Sequence, residues 1–411
     1  MRVCMLAYSF YEDDNRVMRY AEALAARGDE VEAIGLRKRG QPRKSMLGRV
    51  RLLCIQERVK NESRQLTYFL RVMVFVFRAM FVLSVRHLLR PYQVIHVHSI
   101  PDYLVFAAWL PRVTGTKIIL DVHDLTPELY ASKFSGSNES LAFKLLATVE
   151  CASASFSHHV IAPNHIWQRK LIERSVSSSK CSVFLNLPDS SIFHRDERPR
   201  HESRKCVFLY PGSLQWHQGV DIAIRAFARV VQKGFDAEFH IYGDGQAKPG
   251  LIELVRELGL QNHVLVHDAL PLRAIAEIMR RGDIGVVPKR GNSFGNEAFS
   301  TKILEFMASG VPVIAADTKI DRYYFNDDVL TFFVGGSVES LADRMGQLIT
   351  DQNYRERQAA EAERLVKQAF NWDITAPTYF ALVDSLALPE AEMLSRSAEE
   401  DKEYLDLPNN D

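Results

Sequence analysis

The chain has 411 residues, 47% apolar and 25% charged, with 51 basic side chains balanced by 51 acidic ones. Such proportions fit a globular protein of two or three domains and exclude collagenous, wholly disordered or disulfide-stapled classes. The five cysteines (Cys4, Cys54, Cys151, Cys181 and Cys206) are scattered and never form a Cys-x-x-Cys pair. Neither a disulfide framework nor a zinc site is expected, and a reducing compartment is.

The apolar run at residues 1–8 is too short for a signal peptide and reads as a first strand. Residues 3–9, 30–36, 94–98, 117–122, 160–162 and 181–185 read as strands. Between them, 15–27 is a helix ending at Gly28, and 103–112 and 141–151 also carry helical spacing. Ser- and Gly-rich pieces at 132–140 and 175–182 mark loops. Strands alternating with helices imply βαβ units and a parallel sheet.

The zero net charge hides an asymmetry. Residues 37–90 hold fourteen Lys or Arg against two acids, Glu57 and Glu62. Within that stretch, 66–89 is both apolar and basic, and Arg64, Arg71 and Arg78 recur every seven residues as one helical stripe. Arginines inside it argue against a membrane-spanning helix. It reads either as a helix lying in a membrane interface, arginines on anionic headgroups, or as a core helix with one solvated stripe.

A polar stretch at 188–205 marks a domain boundary, after which the alternation restarts. Strands are expected at 206–210, 237–242, 264–266, 284–288, 312–315 and 330–333. The expected domains are 1–190 and 205–370, followed by a helix over 371–388. The tail, 389–411, is acidic, low in apolar residues and without periodicity, and is expected to be disordered.

Four motifs sit at strand ends. Tyr210-Pro-Gly-Ser-Leu-Gln-Trp-His-Gln-Gly219 is a glycine-containing strand-to-helix turn, able to bring backbone N–H groups to a phosphate. Gly243-Asp244-Gly245 follows the next strand as a tight turn. Asp121-Val-His-Asp124 places His123 at a strand end in the first half, where ligands of open α/β sheets gather. His98 also ends a strand, and His96 is read as packing, facing away from it. The fourth is Gly295-Asn-Glu-Ala-Phe-Ser-Thr-Lys-Ile-Leu-Glu305, running into Gly310-Val-Pro-Val-Ile314. Ser300 is a candidate N-cap and Gly310 with Pro312 closes the helix. Glu297 precedes this helix, and Lys302 and Glu305 share one of its faces. A cation in a helix's first turn opposes the local dipole, so a bound anion is the expected partner of Lys302.

The two glutamates with seven residues between them, the small-residue helix end and Gly-Val-Pro-Val-Ile together resemble the retaining family 4 glycosyltransferases. The resemblance implies the GT-B fold, two Rossmann-like α/β domains with parallel sheets facing a central cleft, and a last helix crossing back to the first domain. It implies a nucleotide diphosphate sugar as donor, held without a metal or other cofactor. Glu297 would contact the donor sugar and Glu305 the ribose hydroxyls. Gly212, Ser213 and Gly219 would form the phosphate loop, and Gly243 and Asp244 the turn beside the nucleotide. His123 matches the active-site histidine. The family often has Arg and Lys where this chain has Ser213 and Gln218; Lys302 is expected to replace their charge, with Lys289 and Arg290 in reserve. Arg16 and Arg19 open the first helix and face an acidic acceptor or solvent; Arg16 and Asp124 are the acceptor-side candidates.

The basic segment suggests a lipid-linked saccharide acceptor and a cytoplasmic protein peripheral to an anionic membrane; no nucleic-acid partner is expected. The rival readings are a catalytically silent nucleotide-binding or membrane-surface partner protein, or another GT-B enzyme such as a nucleotide-sugar epimerase.

Overall fold

The structure is a computed structural model that describes residues 1–58, 65–134, 140–195, 205–291 and 294–387. Arg64 and the 389–411 tail lie outside the described residues. The chain divides into two compact units, Met1–Leu185 together with the chain from Ala376, and Asn186–Thr375.

The first unit is a sheet of β1 (Arg2–Phe10), β2 (Glu30–Arg37), β3 (Lys44–Leu47), β4 (Val50–Glu57), β5 (Val94–His98), β6 (Lys117–Asp121), β7 (His159–Ala162) and β8 (Cys181–Val183). Its order is β3-β4-β2-β1-β5-β6-β7-β8, parallel throughout except for the antiparallel β3–β4 pair. The helices are α1 (Asn15–Ala26), α2 (Gln65–Leu89), α3 (Trp109–Val113), α4 (Thr126–Phe134), α5 (Leu141–Phe156) and α6 (His165–Arg174). The run Val3, Cys4, Met5, Leu6 is wholly buried, as expected of a central parallel strand covered on both faces.

The β3–β4 hairpin was not expected from the sequence, where the 37–58 stretch showed only its basic charge. It closes at Gly48, whose φ of +56° suits a residue without a Cβ. The helical spacing over 103–112 resolves into a 3₁₀ stretch, Asp102–Ala108, followed by the short α3.

The second unit repeats the design with β9 (Cys206–Pro211), β10 (Ala237–Tyr242), β11 (Val264–His267), β12 (Ile284–Val287), β13 (Val313–Ala316) and β14 (Thr331–Phe333). All are parallel, in the order β11-β10-β9-β12-β13-β14. Its helices are α7 (Val220–Gln232), α8 (Lys248–Glu257), α9 (Leu272–Arg281), α10 (Thr301–Ala308), α11 (Lys319–Tyr324), α12 (Val338–Thr350) and α13 (Gln352–Ala369). The last helix, α14 (Trp372–Ala387), packs its second half into the first unit. There Tyr379 lies 4.5 Å from the Tyr20 ring, and Arg27 pairs with Asp384 at 3.0 Å.

Helix α2 has two contrasting faces. Val72, Phe75, Val76, Ala79 and Leu83 are buried against the sheet, while Phe69, Leu70, Phe77, Phe81 and Leu88 are exposed. Phe75 also meets Tyr8 edge-on at 5.0 Å between ring centroids. The two phenylalanines therefore predict opposite outcomes. Phe75→Ala should cost roughly 3–5 kcal/mol through the cavity it leaves. Phe77→Ala should cost less than about 0.5 kcal/mol. Urea unfolding of the two variants separates them.

Candidate active site

In the first unit the strand order reverses at β1, which lies between β2 and β5. Ligands of open α/β sheets gather beyond the carboxyl ends of strands at such a reversal. His98 ends β5, Asp121 ends β6, and Arg16 stands in the first turn of α1. Arg16 Nε donates to Asp121 Oδ2 at 2.7 Å and Nη2 donates to Oδ1 at 2.6 Å. Arg16 Nη1 donates to the Phe184 carbonyl at 2.8 Å. The same Oδ2 lies 3.0 Å from His98 Nδ1 and 3.2 Å from His123 Nε2. The His123 backbone N–H donates to Ser99 Oγ at 3.1 Å.

Burial by itself would raise the Asp121 carboxyl, but Arg16 and then His123 hold it well below the usual carboxylate range. Burial also opposes a charge on His123, yet the Asp121 carboxylate lifts that imidazole above its ordinary value. His98 and His96 are pushed the other way, chiefly by burial. Of the three imidazoles His123 therefore holds a proton most readily, and it keeps 22% of its side chain exposed.

Three sequence readings change here. Arg16 faces neither solvent nor an acceptor: it is 5% exposed and spends its donors on Asp121 and Phe184. His96 shares the face of His98, because residues two apart on a strand point the same way. Their rings stack at 4.2 Å, and His96 Nδ1 lies 2.9 Å from the Tyr379 hydroxyl. Asp121 was passed over, although its spacing from His123 already put both at one strand end. Asp124, the other acceptor-side candidate, is half-buried in the loop before α4. His96, His98 and Asp121 bring three potential ligand atoms within 4.8 Å of one another. The Arg16 guanidinium already occupies both Asp121 oxygens, so this trio does not suit a metal ion.

In the second unit the reversal falls at β9, between β10 and β12, and the loops beyond these strands pack tightly. Gly212 N–H donates to the Tyr242 carbonyl at 2.8 Å and Leu214 N–H to the Asp244 carbonyl at 2.8 Å. A Cβ at Gly243 would lie 1.9 Å from the Gly212 oxygen, so only glycine allows the two turns to touch. Gly219, at φ +69°, leads into α7, and a Cβ there would lie 2.0 Å from the Pro288 oxygen. Ser213 and Asp244 are exposed at the tips of their turns. Gln218 lies 3.3 Å from the Tyr210 hydroxyl, which donates to it, and 3.1 Å from His217 Nε2.

Lys302 enters this group from the first turn of α10. Its Nζ sits 5.5 Å from the centre of the Tyr210 ring. A Cβ built on Gly212 would come within 3.0 Å of that Nζ. Lys302 and Glu305 make no ion pair within 4.0 Å, so the simple i,i+3 surface pair is not what holds the lysine. Burial, opposed by Glu305 and Asp321 and aided by Lys289, lowers the Lys302 pKa to about 8. The two reserve cations are engaged elsewhere. Lys289 pairs with the buried Asp321 at 2.8 Å, and Arg290 grips Asp221 at 2.6 Å while stacking on Trp216.

Ser300 does not cap α10 as expected. Its hydroxyl is buried without a hydrogen-bond partner, and the first turn carries no side-chain cap. Glu297 lies just ahead of the helix, 3.3 Å from Lys319 Nζ, and Glu305 is half-buried one turn beyond Lys302.

Residues 193–365 match the family described as glycosyl transferases group 1, and residues 14–186 match a glycosyl transferase 4-like domain. The chain belongs to the group 1 glycosyltransferases of family 4 type, and its fold is GT-B. It is 30% identical over 175 residues to a D-inositol 3-phosphate glycosyltransferase of Xylanimonas cellulosilytica, covering 41% of this chain and 40% of that protein. It is 24% identical over 307 residues to a phosphatidyl-myo-inositol mannosyltransferase of Mycobacterium leprae, covering 72% and 74%. The alignments thus span about 40% of the first curated relatives and more of others. HepE of Anabaena, solved in complex with UDP-glucose, superposes with a TM-score of 0.70 at 16% identity, covering 94% of this chain and 99% of that one.

The lowered Lys302 pKa predicts a stability signature. The unfolded chain binds this proton up to its ordinary 10.5, the folded chain only up to about 8. Burying the charge therefore costs stability in full below about 8, and the cost fades as pH rises toward 10.5. Lys302→Met should melt at or above the wild-type temperature at pH 7, with the gap closing across that window. Thermal unfolding at a series of pH values checks both the sign and the closure.

Proposed function

We propose that the protein is a retaining glycosyltransferase that moves a sugar from a nucleotide diphosphate donor to a hydroxyl acceptor. The observation that carries this reading is Lys302, a half-buried cation with no ion pair among the described residues, on an uncapped helix N-terminus against the Gly212 turn. Free N–H groups and a nearby ammonium are what a diphosphate needs as it departs. In this reading the acceptor oxygen bonds to the anomeric carbon as the bond to the diphosphate oxygen breaks. The acceptor's proton leaves with the diphosphate. Glu305 holds the ribose hydroxyls, Glu297 the sugar, Gly212, Ser213 and Gly219 line the donor's phosphates, and Gly243 and Asp244 lie beside the nucleotide. His123 works at the transferred sugar. The complex of HepE with UDP-glucose supports a nucleotide sugar as the donor class.

Incubating the protein with single UDP-sugars and membrane lipid extract, then identifying the product by mass spectrometry, tests the reaction. Lys302→Met should slow turnover by about a hundred-fold or more, as loss of one electrostatic donor does elsewhere. Wild-type turnover in that variant would take Lys302 out of the site.

The acceptor in this reading is a lipid-linked saccharide at the cytoplasmic face of a membrane. The outer face of α2 supports it: Phe69, Leu70, Phe77, Phe81 and Leu88 are exposed, with Arg71 and Arg78 among them. Trp109 and Val113 of α3, which packs on α2, add to the patch. Solvated stripes of core helices are polar, whereas an apolar face fringed by arginines suits anionic headgroups over hydrocarbon. Thr67–Leu89 is long and apolar enough to cross a membrane, but its inner face is committed to the unit's core, which favours lying on the surface. The phosphatidyl-myo-inositol mannosyltransferase among the relatives lends the lipid acceptor further support. Sedimentation with vesicles containing anionic phospholipid should pellet the wild type and leave an Arg71→Glu, Arg78→Glu variant largely in solution. Wild-type binding should weaken as salt rises. Equal pelleting of the two proteins would count against headgroup contact, and no pelleting of either would return α2 to a purely structural role.

A further inference from the structure

We propose that Arg16 is a positioning residue of this reaction: by gripping both Asp121 oxygens it aims Oδ2 at His123 Nε2, so that the ring presents Nδ1 to substrate. The inference rests on the sugar-transfer reading for its purpose but not for its geometry. Oδ2 is the crowded oxygen, approached by Arg16 Nε at 2.7 Å, His98 Nδ1 at 3.0 Å and His123 Nε2 at 3.2 Å. A carboxylate offers only about four acceptor positions. Arg16 claims one on each oxygen, and its third contact, to the Phe184 carbonyl, stops the guanidinium from swinging away. The plane of the carboxylate is thereby set by a residue that never reaches the surface. With the Ser99 hydroxyl taking the His123 backbone N–H, the histidine is held at both ends.

The surrounding charges say what the grip accomplishes. His123 is faced by Asp14 ahead of α1, by Arg16 on α1, by His98 and His96 on β5, and by Asp121 on β6. Tyr20 of α1 and Tyr379 of α14 close the far side of the row, against His96 and His98. Asp121 and Asp14 favour a proton on His123, and Arg16 opposes it. Without Arg16 the buried carboxylate would have histidine as its main counter-charge, and His123 would stay a cation over a wider range of pH. With Arg16 in place the imidazole can shed its Nδ1 proton while Nε2–H still donates to Asp121. The second-layer arginine thus sets both the orientation and the charge of the histidine that meets the sugar.

Nitrogen-15 NMR of the imidazoles in the full-length protein reads this directly, with no need for a known substrate. In the wild type, His123 should titrate above the ordinary 6.5 and carry its neutral-state proton on Nε2. Arg16→Met should raise the titration point further and weaken the Nε2 preference, whereas Asp121→Asn should lower the titration point. Once the donor sugar is known, Arg16→Met should cut kcat by about a hundred-fold, the cost of a small misplacement of a reacting group. KM for the nucleotide sugar should change little, and Arg16→Lys should recover only part of the loss. An unchanged His123 titration and tautomer in folded Arg16→Met overturns the proposal. Should Arg16→Met not fold, Arg16→Lys carries the same decision. One ammonium cannot span two oxygens in the manner of a guanidinium, so a wild-type titration there is equally fatal. The expected NMR changes in a protein that transfers no sugar would uphold the positioning and remove the glycosyltransferase reading instead.

Discussion

A buried arginine locked onto both oxygens of a buried aspartate organises the first unit. Arg16 is 5% exposed and the Asp121 side chain is fully enclosed, so each charge depends on the other. Removing one member of such a pair strands the other in a low-dielectric interior and typically costs roughly 3–5 kcal/mol. Around that pair the rest assembles. The guanidinium fixes α1 against β6 and the segment after β8, and the carboxylate collects His98 and His123. Tyr20, within 5.3 Å of the guanidinium, carries the packing on to Tyr379 of α14. The terminal helix is therefore tied to the same centre as the candidate catalytic histidine.

The second unit is built on the opposite electrostatic condition. Its other cations near the strand ends are neutralised within the unit, Lys289 by Asp321 and Arg290 by Asp221. Lys302 alone of these three makes no ion pair among the described residues, and burial holds its pKa near 8. A fold does not gain stability from such an arrangement. In the proposed reading an arriving diphosphate would relieve it by restoring the lysine's preference for a proton. The absent Cβ atoms of Gly212 and Gly243 let the two turns meet and let the Lys302 ammonium approach the Gly212 turn.

The basic character of the 37–90 stretch also has more than one role once the partners are known. Arg51 and Arg90 pair with Glu30, Arg86 with Glu32, Arg37 with Glu57 and Lys38 with Asp13. These five cations are therefore engaged within the unit, which lessens the charge available to an anionic surface. The outer face of α2 carries Arg71 and Arg78 among exposed aromatic and aliphatic side chains. Any surface attraction there has a larger apolar share than the raw charge count suggests.

The alternation of strands and helices, the central strands' unbroken apolar runs, and the glycines at turns were all legible in the sequence. Each follows from local rules: period, burial on two faces, and the steric freedom of a missing side chain. The β3–β4 hairpin was not, because β3 is four residues long and exposed over its first three, so no buried face imposes a period on its sequence. The motif around Lys302 was visible, but its lack of a carboxylate partner among the described residues was not: Glu305, three residues away, was an equally good candidate until the rotamers were in place. Ser300 read as a cap because the residue type favours it, and only packing turned its hydroxyl inward. Asp121 and Arg16 stand 105 residues apart, and nothing local to either announces the other. The chain by itself determined which segments become strands and helices and where the glycine turns beyond the second unit's strands fall. Tertiary structure decided which charges are cancelled within the fold, since pairing depends on distances between elements that no local pattern encodes.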